Sequence, residues 1–220
     1  MTNYDWEITR RETQRRARPA LGLRFAQAPP EGDCRLKRQS NLSRFLCRPL
    51  QNTSRKTPEP HRICAVSVTI RQYEPHDFAT IFKLDQSCFP PGIAYSKAML
   101  KYYLVQPGAE CLIATDRGKI VGFLISEENP PLGHIVTLDV GESHRRKGVG
   151  SMLLAESEAH LAFRGVRTVL LETATTNQAG IAFWERHGYR REAVVKNYYP
   201  GRLDAFEMRK LLSASPRSKA

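Results

Sequence analysis

The stretch HRRKGVGSMLL, residues 144–154, sets three cations and two glycines directly before an apolar run. The first backbone N–H groups of a helix have no intrahelical partner, and the aligned peptide dipoles favour an anion at that end. Glycine there lets the chain bend and lets a ligand approach with no Cβ in the way. Arg145, Arg146 and Lys147 add positive charge beside it. The physical reading is a cradle for a polyphosphate. A plainer reading, in which Gly148 and Gly150 only let a helix pack closely on a sheet, stands beside it. The spacing is neither G-x-x-x-x-G-K-[ST] nor G-x-G-x-x-G, which argues against nucleotide hydrolysis and dinucleotide binding.

Outward from this loop the chain alternates strands and helices. GHIVTLDV (133–140) precedes it as a strand, and VGSMLLAESEAHLAF (149–163) follows as a helix. That helix has an expected apolar stripe near 149, 152, 155, 159, 162 and 163 and a stop at Gly165. TVLLET (168–173) reads as a buried strand, QAGIAFWERHG (178–188) as a short helix, and YRREAVVK and DAFEMRKLL as two strands around the turn NYYPGR. Upstream, VSVTIRQ (66–72) alternates like a strand, and PHDFATIFKLDQSCF (75–89) and SKAMLKYYLV (96–105) read as helices, the second capped by Ser96. CLIATD and KIVGFLIS form a hairpin around Arg117 and Gly118. The order β-α-α-β-β-β-α-β-α-β-β predicts an α/β fold, a mixed sheet with helices on both faces.

Of the 220 residues, 34 are Lys or Arg and 22 are Asp or Glu, a net charge of +12. The excess sits at the ends. Residues 1–64 hold 14 basic and six acidic side chains, and the tail 213–220 adds Arg217 and Lys219, so 65–212 is nearly balanced. The first 64 residues show no sustained period and are punctuated by prolines, so they read as a disordered basic arm, the only part that suggests contact with nucleic acid. No Met falls between Met1 and Met99, and an alternative translation start near Val66 or Val68 is an expectation for a bacterial source. The domain layout is thus an arm (1–64), a globular domain (65–212) and a flexible tail (213–220). Five cysteines without paired spacing and scattered histidines argue for no metal and a reducing, cytoplasmic setting. No apolar run reaches the roughly 20 residues that cross a bilayer.

Arg145, Gly148 and Gly150 match the [QR]-x-x-G-x-[GA] signature of the GNAT acetyltransferases, which the loop resembles. The likeness runs from 133 to 210 through GHIVTLDV, HRRKGVGSMLL, LLETATTNQAGIAFWERHGY, NYYPG and DAFEMRKLL. In that order they resemble the ribosomal-protein-alanine N-acetyltransferase branch and its archaeal N-terminal acetyltransferase relatives. Residues 65–132 fit less specifically, although CFPPGIAYS resembles the family's substrate-side loop. The resemblance implies a GNAT fold: a splayed, mostly antiparallel sheet of six to seven strands with about four helices. It implies acetyl-CoA as co-substrate and a protein N-terminus as acceptor, a ribosomal protein among the acceptors suggested, in a monomer or weak dimer. Acetylation of a lysine or small amine, or non-catalytic acyl-CoA binding, are the alternatives.

By the same resemblance, the backbone of Leu138, Asp139 and Val140 takes the pantetheine arm. Arg145, Arg146, Lys147, Gly148, Val149, Gly150 and Ser151 hold the phosphates, and Asn177 contacts the coenzyme or simply caps the next helix. A free α-amine has a pKa of about 7.7–8.0, so a modest base suffices to make it nucleophilic. Glu172, a carboxylate in an otherwise apolar strand, sits at the family's base position, with His134 second. The helical site where the family places a tyrosine acid holds Trp184. An indole N–H donates a hydrogen bond but gives up no proton near neutral pH, leaving Tyr189, Tyr198 or water to assist. Tyr198 and Tyr199 resemble a peptide-binding motif, and aromatics before Pro-Gly also anchor ordinary hairpins.

Overall fold

The computed structural model describes residues 67–212. The arm 1–64 and the tail 213–220, read above as disordered, lie outside the described residues.

Seven strands and four α-helices follow the expected order. They are β1 (Val68–Gln72), α1 (Phe78–Cys88), α2 (Lys97–Leu104), β2 (Ala109–Asp116), β3 (Lys119–Asn129), β4 (Leu132–Val140), α3 (Val149–Phe163), β5 (Thr168–Ala174), α4 (Gln178–Arg186), β6 (Arg190–Tyr199) and β7 (Leu203–Leu211). Local chemistry sets the boundaries. Ser96 caps α2 by accepting from the Met99 N–H (3.2 Å), and Asn177 caps α4 by accepting from the Gly180 N–H (3.0 Å). α1 gives way to Pro90-Pro91-Gly92, where proline cannot continue a helix.

The sheet order is β1-β2-β3-β4-β5-β7-β6. Every neighbouring pair is antiparallel except β4 and β5, which run parallel with α3 as the crossover between them. One face is covered by α1 and α2, with Ile81, Leu100, Tyr103, Ile113, Phe123 and Ile125 buried between. The opposite face is covered by α3 and α4 over Leu124, Leu153, Leu161, Val169, Leu171 and Met208. Both faces are apolar at the centre of the sheet, where β2 and β3 alternate their side chains between two helical layers, whereas β6 is largely exposed as far as Asn197.

β4 and β5 are in register only from Leu132↔Thr168 to His134↔Leu170. Beyond that point β4 stays bonded to β3 as far as Val140, so its other edge opens away from β5. The register with β3 slips between Ile125 and Ser126, leaving Val136 as an extra residue in β4, a bulge that bends the strand. This is the splay that places the site.

One sequence expectation is corrected here. The face that α3 buries runs through Val149, Leu153, Leu154, Ser157 and Leu161, whereas Met152 is 42 % and Phe163 88 % exposed. Apolar residues lie all round this helix, so periodicity does not choose its inner face; the sheet does. Ser157 is accepted inside because its hydroxyl donates to Ser126 Oγ (3.2 Å). Leu153→Ala is therefore expected to cost about 2–5 kcal/mol in urea unfolding, while Met152→Ala stays within roughly 0.5 kcal/mol.

Candidate active site

Glu172 leaves β5 two residues past the last β4–β5 pair and points into the opening. Its side chain is only 4 % exposed, and His134 beside it 1 %. His134 Nε2 lies 3.0 Å from Glu172 Oε2, and the Tyr198 hydroxyl donates to the same oxygen at 3.0 Å. An ionised carboxylate only accepts, so this contact makes Nε2 the protonated nitrogen of His134. The Tyr199 hydroxyl donates to the Glu172 carbonyl (3.4 Å), and the two tyrosine rings meet edge to face at 4.8 Å. Three strands, β4, β5 and β6, thus converge on one carboxylate. Tyr198 and Tyr199 are the last residues of β6 and not part of the turn, which is only Pro200–Arg202.

A roof lies over this cluster. Ile93 and Leu203 pack against Tyr198, Tyr199, Ala174 and Ala205, and Gly92 passes beside the Pro200 ring. The segment between α1 and α2 therefore meets the β6–β7 connection above Glu172. Ile93 was not singled out from the sequence. The likeness of CFPPGIAYS to a substrate-side loop was the available signal, and it could not name the residue.

Further along the opening, α3 begins at Gly148 in the left-handed region (φ 87°) with no side-chain cap. The first helical bond there is Met152 N–H to the Gly148 carbonyl (3.0 Å), so the N–H groups of Val149, Gly150 and Ser151 precede the ladder. Arg146 and Lys147 are exposed beside them, and Arg146 also has positive φ (59°). A row of uncapped donors at a helix start, flanked by cations and continuous with the open edge of β4, fits a diphosphate followed by a slender pantetheine.

The two glycines differ in their reasons. Gly148 holds a conformation that L-residues avoid, and a Cβ there would meet nothing within 4 Å. At Gly150 a Cβ would stand 3.4 Å from the Phe183 ring and 3.5 Å from Leu138, so close packing is its constraint. Backbone conformation thus constrains Gly148, and helix-on-sheet packing constrains Gly150.

The remaining candidates divide. Arg145 turns back, its Nε donating to the Val140 carbonyl (2.9 Å), and so braces the end of β4. Leu138 packs with the core beneath α3, and Asp139 is buried. His187 Nδ1 must donate to the Phe183 carbonyl (2.8 Å), which leaves Nε2 to accept from the Ser151 hydroxyl (2.9 Å). The side-chain oxygen of Asn177 serves the α4 cap. Trp184 belongs to the main core, 8 % exposed, edge-on to Phe183 (5.0 Å) and Tyr189 (5.4 Å). The Tyr189 hydroxyl donates to Glu158 (2.9 Å), and burial holds that phenol well above its ordinary pKa. Among the described residues no group of three or more His, Cys, Asp or Glu is placed to hold a metal, and no helix is long and apolar enough to cross a membrane.

Comparison with known proteins agrees with this geometry. Residues 78–189 match the acetyltransferase (GNAT) family model. N-alpha-acetyltransferase 30 of Schizosaccharomyces pombe is 28 % identical over 117 residues, 51 % of this chain and 78 % of that protein. The [ribosomal protein bS18]-alanine N-acetyltransferase of Escherichia coli K12 is 34 % identical over 97 residues, 43 % of this chain and 66 % of that one. The crystal structure of the Escherichia coli ribosomal-protein-S18-alanine N-acetyltransferase superposes with a TM-score of 0.61 at 26 % identity, covering 70 % of this chain and 99 % of that chain. A helix start shaped for phosphates, a splayed β4–β5 pair and a family match across both mean that the chain belongs to the GNAT family, as an acyltransferase that takes its acetyl group from acetyl-CoA.

Proposed function

We propose that the acceptor is the N-terminal α-amine of a protein, and that Glu172 is the base that makes this amine nucleophilic. The observation that carries the reading is the Glu172–His134–Tyr198 cluster at the mouth of the β4–β5 opening. Acetyl-CoA supplies an activated thioester. Backbone donors at the start of α3, with Arg146 and Lys147, hold the diphosphate, and the free edge of β4 guides the chain that follows it toward Glu172.

Glu172 takes the proton the amine loses as the new C–N bond forms and the acetyl C–S bond breaks. His134 and Tyr198 fix the carboxylate's orientation, so its basic oxygen is held for that transfer rather than rotating. A thiol of pKa about 8.5 departs readily as thiolate, so the acid step can be met by the Tyr198 hydroxyl or by water. The core placement of Trp184 suits packing better than proton donation. Ile93 packed against Tyr198 and Tyr199, whose hydroxyls bond Glu172, sets an apolar and aromatic wall beside the base, which suits the backbone and first side chains of a peptide end.

The relatives that bear on the acceptor are named for protein N-termini: an N-alpha-acetyltransferase in yeast and a ribosomal-protein-alanine enzyme in Escherichia coli. A ribosomal protein N-terminus in the cytoplasm is the finer expectation. A thiol-release assay across a panel of N-terminal peptides, the same peptides blocked at the α-amine but carrying lysine, and simple amines decides it. Turnover of free N-termini at least tenfold above the blocked peptides is expected. Equal or greater turnover of lysine or small amines removes the proposal.

A further inference from the structure

We propose that Asp139 is a positioning residue that carries a proton in the folded enzyme and donates it in a hydrogen bond to Asp85, tying the acceptor-side loop to the strand that receives the acetyl donor.

Asp139 lies at the end of β4, paired with Phe123 of β3, and its side chain turns into the layer under α1. It is 1 % exposed. One oxygen accepts from the Thr137 hydroxyl (2.7 Å), while Oδ2 is fully buried with no donor upon it. A bare carboxylate oxygen in that position is strongly disfavoured, because burial removes its water and nothing replaces it. A proton on Oδ2 turns the acceptor into a donor and removes the penalty.

The acceptor for that proton is on the helix packed opposite. Asp85 of α1 is 0 % exposed and bears on Asp139 electrostatically. Its Oδ2 accepts from the Tyr95 N–H (2.9 Å) and from Gln86 Nε2 (2.8 Å). One turn on, Cys88 Sγ donates to the carbonyl of Val140, the neighbour of Asp139, at 3.5 Å. The Tyr95 hydroxyl reaches over to donate to the Val136 carbonyl at the β4 bulge (3.1 Å). Asp139 is thus bracketed on both sides by contacts that join residues 85–95 to β4, and the carboxyl pair sits between them.

The other groups facing Asp139 are few. Cys88 from α1 and Cys111 from β2 are both kept as neutral thiols by burial, and Thr137 lies on its own strand. Arg145, from the loop after β4, lowers the cost of a charge here but less than burial and Asp85 raise it, so the carboxyl is held well above the ordinary range. Two carboxylates in one dry layer cannot both ionise, and one shared proton is the usual resolution.

The functional consequence follows from what each end holds. Asp85 fixes the start of the loop that brings Ile93 over Glu172, and β4 offers its free edge to the pantetheine. One proton therefore sets the distance between acceptor and donor. Its loss introduces like-charge repulsion at the joint and loosens the loop. The naming of that loop as acceptor-side rests on the proposed function; the protonation does not.

The first experiment is a carbon-detected NMR titration of aspartate side chains in the full chain, with Asp139→Asn supplying the assignment. The Asp139 carboxyl is expected to stay in its protonated position at pH values where an ordinary aspartate of pKa about 3.9 is already ionised. An Asp139 that titrates in the ordinary range overturns the proposal outright, whatever the acceptor proves to be. The second is the acceptor KM at saturating acetyl-CoA as pH rises through the titration of Asp139. In the native enzyme KM should climb roughly ten- to hundredfold, as expected for a small misplacement of the reacting groups, while kcat changes less. In Asp139→Asn, whose amide can still donate, KM should not follow that climb. Parallel KM profiles in the two proteins refute the positioning role even if the proton is found.

The sign for stability is fixed by the same linkage. A carboxyl whose folded-state pKa is raised binds more protons folded than unfolded, so its contribution is complete at acid pH and disappears as pH rises through the folded value. The thermal midpoint of the native protein should show that alkaline decline more steeply than Asp139→Asn, and equal slopes count against the proton.

Discussion

Glu172→Gln is expected to lower kcat by roughly 10²–10⁴-fold, with the affinity for acetyl-CoA little changed. Glutamine keeps the length of the side chain and an oxygen that can still accept from His134 Nε2 and the Tyr198 hydroxyl, which lie at 3.0 Å in the native protein. What it loses is the capacity to take a proton. Folding should survive, because the side chain is a member of a hydrogen-bonded cluster and not of either apolar core. The contrast with His134→Ala sharpens the test. Removing the imidazole leaves the carboxylate in place but frees its orientation, so the loss should be smaller and partly regained with acceptors of lower pKa. Thiol release under saturating donor measures both. If Glu172→Gln turns over at the native rate, Glu172 is not the base, and His134 becomes the candidate to examine.

Gly148→Glu should weaken coenzyme A binding by ~10²–10³-fold, the upper end being the scale of a unit charge about 4 Å from another near a protein surface. Two effects combine. The backbone at 148 sits at φ 87°, a conformation that costs a side-chain-bearing residue about 1–2 kcal/mol. The carboxylate then competes for the donors at the start of α3 and repels the diphosphate, although an acid near a helix N-terminus favours the helix itself. Gly148→Ala separates the two effects. Its Cβ meets nothing within 4 Å, so it carries the backbone cost with no new charge and should retain most of the affinity. Isothermal calorimetry on the folded variants, with circular dichroism to show that α3 persists, gives the answer. Native affinity in Gly148→Glu means that the phosphates do not lie on this helix start, and the assignment of the loop fails with it.

The succession of strands and helices was legible because each carries its own short-range signal. Ser96 and Asn177 cap helices as their residue type suggests, and Gly165 ends α3 with φ 93°. The hairpin around Arg117 and Gly118 needs positive φ at both residues, and both have it. The inner face of α3 was misread for a reason internal to that helix. With alanines, leucines, methionine and phenylalanine on all sides, no period stands out, and Ser157 lay outside the expected stripe. Its partner, Ser126, is 31 positions away on β3.

The same division runs through the site. The phosphate loop is contiguous in sequence, so its glycines and cations could be read together from the chain alone. Glu172 was legible as a carboxylate out of place in an apolar strand. That His134 and Tyr198 both bond it and that Ile93 packs against the tyrosine pair were not, since these partners stand 26 to 79 residues from Glu172 in the chain.

By itself the sequence determined the order of the elements, the glycine loop at a helix start and the family to which they belong, because each depends on neighbours along the chain. Only the tertiary structure decided where β4 and β5 part, which side chains meet at Glu172, and that Asp139 is enclosed against Asp85. Those outcomes depend on register and burial, which arise when distant strands and helices are pressed together and water is excluded between them.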